Sequence, residues 1–272
     1  MIYITYSNEN HGISGHIYEV IDYFWYLKDF FDIKILITDF YDVELYRKTI
    51  TYRYSFSESE IDYIFKNTIF RRFSNNRIER FECDILISTN GFLGYGRYFY
   101  VRNFIGFRCT KEKPFDLIIS PNKLMLQDNR IYDNTPKGFR SIHYVKKIYY
   151  DIIKKPKREE NNYLLYINST YRNIDISKYV KKYRNLYIVS PTHHTPPVDN
   201  LFEKFHTYIY TPITRKFDCS SRLVKECQYF GKKIIFDIDY YDKALDVRTS
   251  DCIAKTDLKH DKQIVEIIRE VI

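Results

Sequence analysis

Between Tyr208 and Asp237 the chain spells out strand, loop, helix and strand with each stop marked, which limits its fold more than any other stretch. The apolar run Tyr208, Ile209 and Tyr210 ends at Thr211-Pro212. A polar loop with Arg215 and Lys216 then leads to Asp218, Ser220 and Ser221, residue types that favour helix N-caps. Leu223, Val224, Cys227 and Phe230 recur at helical spacing, Gly231 stands at the helix stop, and Ile234, Ile235 and Phe236 form the next apolar run. Strands joined through a helix predict a parallel sheet with helices on its faces.

The same rhythm opens the chain. IYITY (2–6) reads as a strand, SNENHGISGH as a polar loop, and Ile17, Val20, Ile21, Phe24 and Leu27 as one face of a helix; DIKILITDF is the second strand. This is the start of a doubly wound sheet. It places Ser14, Gly15 and His16 near a helix N-terminus at the carboxyl end of the first strand, where ligands of such sheets bind. GISGH lacks the dinucleotide glycine spacing, so the turn is either an ordinary strand-to-helix connection or a substrate-facing one. His16 titrates near neutrality and is a candidate base. Asp22 lies nearly two helical turns from it and is set aside as its partner; Asp39, after the second strand, is the candidate acid.

The segment 41–82 carries Arg47, Lys48 and Arg53, a predicted helix over 59–70, and Arg71, Arg72, Arg77 and Arg80 interleaved with Phe73 and Phe81. That mixture suits a nucleic-acid groove, or else a solvated helix face. CDILIST is a buried strand ending at Asn90-Gly91. Gly91, Gly94 and Gly96 with Arg97 follow, which makes Asn90, Gly91, Gly94 and Arg97 candidate acceptor-binding residues. DLIIS (116–120) is a further strand, and FRSIHYV (139–145) a last strand or the approach to a linker.

DIIKKPKREENN (151–162) is charged, with proline and little apolar content, so a boundary is expected there, dividing the chain into domains 1–152 and 153–272. The rhythm then restarts with the strand NYLLYIN, the helix ISKYVKKY and the strand NLYIVSP. LFEKF and DYYDKAL are short helices, CIAK a last strand, and KHDKQIVEIIREVI an amphipathic terminal helix. His193 and His194 have no Cys or carboxylate at metal spacing beside them, so no metal is expected.

Composition sets the class. Across 272 residues, 44% hydrophobic content is enough to bury a core, and the charge of +8 favours anionic partners. The 28 Tyr and 20 Phe fit a coding bias of an AT-rich genome. Five cysteines, Cys83, Cys109, Cys219, Cys227 and Cys252, form no CxxC pair and read as reduced thiols in a cytoplasm. Neither a leader nor an apolar run of about 18 residues is seen, so a cytoplasmic monomer without a membrane span is expected.

Two βαβ domains, a Gly-and-His loop after the first strand (Ser14, Gly15, His16), and one Glu on a helix after a basic loop (208–237) resemble the GT-B glycosyltransferases. The resemblance implies an α/β fold of two Rossmann-like domains facing across a cleft. It also implies a second domain that binds a nucleotide-diphosphate sugar without a metal or further cofactor. By the same resemblance, Arg222 and Arg215 would contact the diphosphate, Ser220 and Ser221 with Gly15 would add donor contacts, and Glu226 would take the ribose hydroxyls. The alternative for Arg222 and Glu226 is a surface i,i+4 pair contributing about 0.3 to 0.5 kcal/mol. Small size, AT-rich composition and an Arg-aromatic first half look like the phage enzymes that glycosylate hydroxymethylated DNA bases. Double-stranded DNA would then be the partner, in a host cytoplasm if the chain is viral. Transfer to a polysaccharide, lipid-linked sugar or protein, and a non-catalytic nucleic-acid-binding or virion protein, are the other readings.

Overall fold

The computed structural model describes residues 1–7, 15–38, 42–71, 81–88, 99–106, 117–120, 140–143, 146–167, 174–190, 197–211, 221–237, 253–256 and 261–270. It is an α/β protein with parallel sheets. In the first half, β1 (Ile2–Ser7), α1 (Gly15–Leu27), β2 (Ile33–Thr38), α2 (Val43–Arg53), α3 (Glu58–Lys66), β3 (Thr68–Arg71), β4 (Phe81–Ser88), β5 (Phe99–Gly106), β6 (Leu117–Ser120) and β7 (Arg140–His143) follow in order. Their strands form one seven-stranded sheet in the order β3-β2-β1-β4-β5-β6-β7, with every pairing parallel. The order turns back between β1 and β4, so the carboxyl end of β1 is the switch point of this sheet.

β1 and β2 are covered on both faces, which is why they read as near-continuous apolar runs. Ile2, Tyr3, Ile4 and Tyr6 are buried, as are Ile33, Ile35, Leu36 and Ile37. The hydroxyl of Thr5, fully buried, donates to the Leu36 carbonyl at 2.9 Å.

The second half opens after β8 (Lys146–Tyr149) and a short 3-10 turn at Tyr150–Ile152. β9 (Tyr163–Tyr166), α4 (Ile176–Lys182), β10 (Leu186–Val189), β11 (Thr207–Tyr210), α5 (Arg222–Tyr229) and β12 (Lys233–Phe236) build a parallel sheet in the order β10-β9-β11-β12. The βαβ reading of 208–237 is met in detail. Gly231 takes φ +68°, Lys232 N–H donates to the Cys227 carbonyl (2.8 Å) and Gly231 N–H to that of Gln228 (3.3 Å), closing α5 with a Schellman motif.

The chain then returns to its first half. β13 (Ile253–Thr256) pairs in parallel with β8, and α6 (Lys262–Arg269) buries Ile264, Val265, Ile267 and Ile268 in the same core as α1. Asp261 joins the two: its carboxylate accepts from the Tyr149 hydroxyl at 2.9 Å and its carbonyl from the Tyr26 hydroxyl. The result is an α1 buried almost all round, with Asp22, Tyr23 and Tyr26 covered as well as the expected apolar face.

Two expectations need correction. The helix predicted over 59–70 ends at Lys66, because Thr68 and Ile69 favour extended backbone and pair with β2 through Ile35↔Thr68 and Leu36↔Ile69. The glycine-rich reading of 91–104 hid β5, which pairs with β4 along its length. Within 139–145 the last strand is β7, and residues 146–149, for which no element was read, form a further strand.

Candidate functional site

Two helix N-termini meet beside the carboxyl ends of parallel strands. α1 follows β1 and α5 follows β11, and a Cβ placed on Gly15 would lie 3.9 Å from the Cβ of Arg222. α2 and α3 satisfy their own ends: Asp42 accepts from Leu45 N–H, and Ser57 with Glu60 forms a capping box. The converging ends differ. Neither α1 nor α5 has an acidic residue in its first turn, and Ser221, although at the N-cap of α5, makes no side-chain cap. Backbone N–H groups and positive helix ends therefore meet at one place, which favours an anion.

His16 stands on the first turn of α1, largely buried, with Nδ1 3.3 Å from a carboxylate oxygen of Glu19. With the proton on Nδ1, the carboxylate orients the ring and leaves Nε2 able to accept a proton. Glu19 was missed in the sequence. The i,i+3 spacing that brings it to His16 was the available signal.

Arg222 and Glu226 are neither a surface pair nor an open ligand set. Glu226 is fully buried; one carboxylate oxygen accepts from Arg222 Nε at 2.9 Å and the other from Arg53 Nη2. Arg222 Nη1 donates to Asp22 Oδ2 at 2.8 Å, and the Tyr54 hydroxyl donates to the other Asp22 oxygen at 2.7 Å. The Tyr18 ring lies under both guanidinium groups, 4.9 Å from that of Arg53 and 5.6 Å from that of Arg222. Two acids and two arginines alternate here across α1, α2 and α5, a charge-balanced link between the two halves. With both oxygens of Glu226 taken by arginines, the ribose role expected for it does not fit this arrangement.

Burial raises Asp22 to about 6, against the opposing pull of Arg222. For Arg222 burial disfavours the charge, but Asp22 and Glu226 outweigh it and hold the guanidinium well above its ordinary value. Burial, reinforced by Asp22, likewise lifts the Tyr54 hydroxyl. Arg222 Nη2 and Arg53 Nε are buried with no hydrogen-bond partner among the described residues. Asp22, Arg53 and Tyr54 were not foreseen. The signal for Asp22 was a second acid on a mostly apolar helix, four residues from Tyr18.

Of the residues singled out in the sequence, Gly15, His16, Ser221 and Arg222 come together at the two helix starts, with Glu226 beneath them. Asp39, Arg215, Ser220, Asn90, Gly91, Gly94 and Arg97 lie outside the described residues. The cations expected to face nucleic acid near 47–53 are already engaged. Arg47 pairs with Glu58 (3.1 Å) and Asp62 (2.5 Å), Lys48 lies 3.9 Å from Glu44, and Arg53 is buried on Glu226. Among the described residues no cluster of His, Cys, Asp and Glu is placed to hold a metal, and no helix is long and apolar enough to cross a membrane. Compared with known proteins, the chain matches no family model, no curated sequence and no solved structure.

Proposed function

We propose that this chain is a metal-independent glycosyltransferase of two Rossmann-like domains facing across a cleft, moving a sugar from a nucleotide-diphosphate sugar to a hydroxyl. The observation that carries this reading is the meeting of the α1 and α5 N-termini at Gly15 and Arg222, each after a parallel strand and neither with an acid in its first turn. A diphosphate is the leaving group whose developing charge such a place stabilises. The diphosphate would be met by the backbone N–H groups of the two helix starts, with Arg222 and Glu226 acting indirectly, holding α5 against α1 through Asp22 and Arg53.

In the reaction the acceptor oxygen bonds to the anomeric carbon, the bond from that carbon to the diphosphate oxygen breaks, and its electron pair leaves with the diphosphate. His16 Nε2 takes the acceptor proton, with Glu19 balancing the imidazolium. The preferred acceptor is a hydroxymethylated base in phage DNA.

The test is a thermal-shift panel of nucleoside diphosphates and their sugars, followed by incubation of hydroxymethylated DNA with any stabilising donor and mass analysis of the nucleosides. A stabilising donor with a mass gain of one sugar supports the proposal. Silence across the donor panel rejects it, and tight DNA binding alongside that silence favours a non-catalytic nucleic-acid-binding protein.

A further inference from the structure

A second anion-attracting place lies at the other edge of the sheets. α2 runs back from the carboxyl end of β2, so the segment joining it to α3 sits by the amino ends of the first sheet's strands; Asn200 and Glu203 likewise precede β11. Between them, floored by the 151–158 segment, is a cavity of about 720 Å³. That volume is in the range of small-ligand sites.

Four cations line the cavity, Lys154, Lys155, Lys157 and Arg158, against two carboxylates, Asp151 and Glu203. Glu203 is occupied, accepting from Lys157 N–H at 3.0 Å and lying 3.6 Å from Arg158 Nε, and Lys154 reaches Asp199 at 3.3 Å. The ammonium groups of Lys155 and Lys157 are exposed and have no acidic partner among the described residues. Their backbone is anchored on both sides. Lys154 N–H donates to the Arg53 carbonyl, Tyr54 and Ile153 form an antiparallel bridge, and Glu160 N–H donates to the Glu203 carbonyl. The apolar lining that stays partly exposed is Phe56 and Pro156; Phe56 is backed by the buried Tyr54 (5.1 Å, 16°) and packs on Trp25 (4.5 Å).

Ammonium groups with no acidic partner among the described residues, beside the partly exposed Phe56 ring and Pro156, match a nucleotide, whose phosphate takes the charge and whose base packs on the apolar lining. We infer that this cavity binds a nucleotide unit, with Lys155 and Lys157 on its phosphate, at a place separate from the Gly15 and Arg222 site. The unit is either a free nucleotide or part of a nucleic-acid strand.

The two sources are separated by titrating the full chain with thymidine 5′-monophosphate and with a short labelled oligothymidylate. The comparison uses the double variant Lys155→Gln/Lys157→Gln, whose exposed side chains leave Tm unchanged. The parent binds one or both probes, and the variant binds on the order of tenfold more weakly. If the strand is the ligand, its salt slope falls by about 1.4 in the variant, so between about 50 and 200 mM salt the parent loses about sevenfold more affinity than the variant does. A Gly15→Asp variant keeps this binding, which distinguishes it from occupancy of the donor site. Binding of neither probe by the parent, or equal binding by parent and double variant, overturns the inference.

Discussion

Replacing Glu226 by Gln keeps the shape of the side chain and removes one of the two negative charges that hold Arg53 and Arg222 inside the protein. The amide nitrogen would then face a guanidinium, donor against donor, and two buried cations would share Asp22 alone. Breaking a buried pair in this way costs about 3 to 5 kcal/mol, whereas an exposed i,i+4 pair contributes about 0.3 to 0.5. For 272 residues the unfolding entropy is about 0.57 kcal/mol/K, so the loss lowers Tm by about 5 to 9 °C. Urea unfolding followed by circular dichroism measures the same difference, with an unchanged m-value showing that the native surface is kept. Replacing both ends by apolar residues of similar size, Arg53→Met with Glu226→Leu, recovers part of the stability because no charge is left stranded. A loss below about 1 kcal/mol in Glu226→Gln would refute the buried network.

Asp22 makes stability depend on pH in an unusual direction. Its folded value, about 6, lies above its ordinary 3.8, so the folded protein binds the proton more tightly and this group's contribution falls as pH rises from about 4 to about 6. The Asp22 share of stability is about 1 kcal/mol greater at about pH 5 than at about pH 7; unfolding of parent and Asp22→Asn at both values isolates it, and equal pH profiles would sink the assignment. Ser57→Ala removes the hydroxyl from the α3 capping box and is expected to cost about 1 kcal/mol in the same urea assay, with Glu60→Ala not adding its full single cost in the double variant because the two bonds are reciprocal.

Local order was readable where side-chain period and stop signals agree. β2, β9 and α5 fall within the residues read for them, and β1 and β11 each extend one residue beyond theirs, since each is an apolar run or amphipathic turn closed by Gly, Pro or a cap residue. β5 was hidden because arginine and asparagine within 99–106 mask a strand whose partners, β4 and β6, are distant in sequence. Gly15 and Arg222 were each read near helix starts after parallel strands, but that the two helix starts face one another was implied only by the resemblance to two-domain glycosyltransferases. The network beneath them was not foreseen. Arg53, Asp22 and Glu226 are up to 204 residues apart, and an i,i+4 Arg-Glu pair looks the same on a surface helix as on one buried against a second domain. Only the packing of α5 on α1 and α2 decides which it is.

The most direct test of the anion site is calorimetric titration of the parent and of Gly15→Asp with whichever nucleoside diphosphate stabilises the parent. Gly15 has an ordinary φ, and its added Cβ meets Arg222 only at van der Waals distance, so the substitution fits. A carboxylate at a helix N-terminus stabilises the helix by about 0.3 to 1 kcal/mol, so Tm holds or rises. It also occupies the place meant for phosphate, and repulsion at about 5 Å lowers affinity on the order of a hundredfold. The parent is expected to be stabilised by about 5 °C at a hundredfold excess over Kd, and the Gly15→Asp protein to be folded and nearly blind to the ligand. A folded Gly15→Asp protein that binds the diphosphate as tightly as the parent would contradict the anion site.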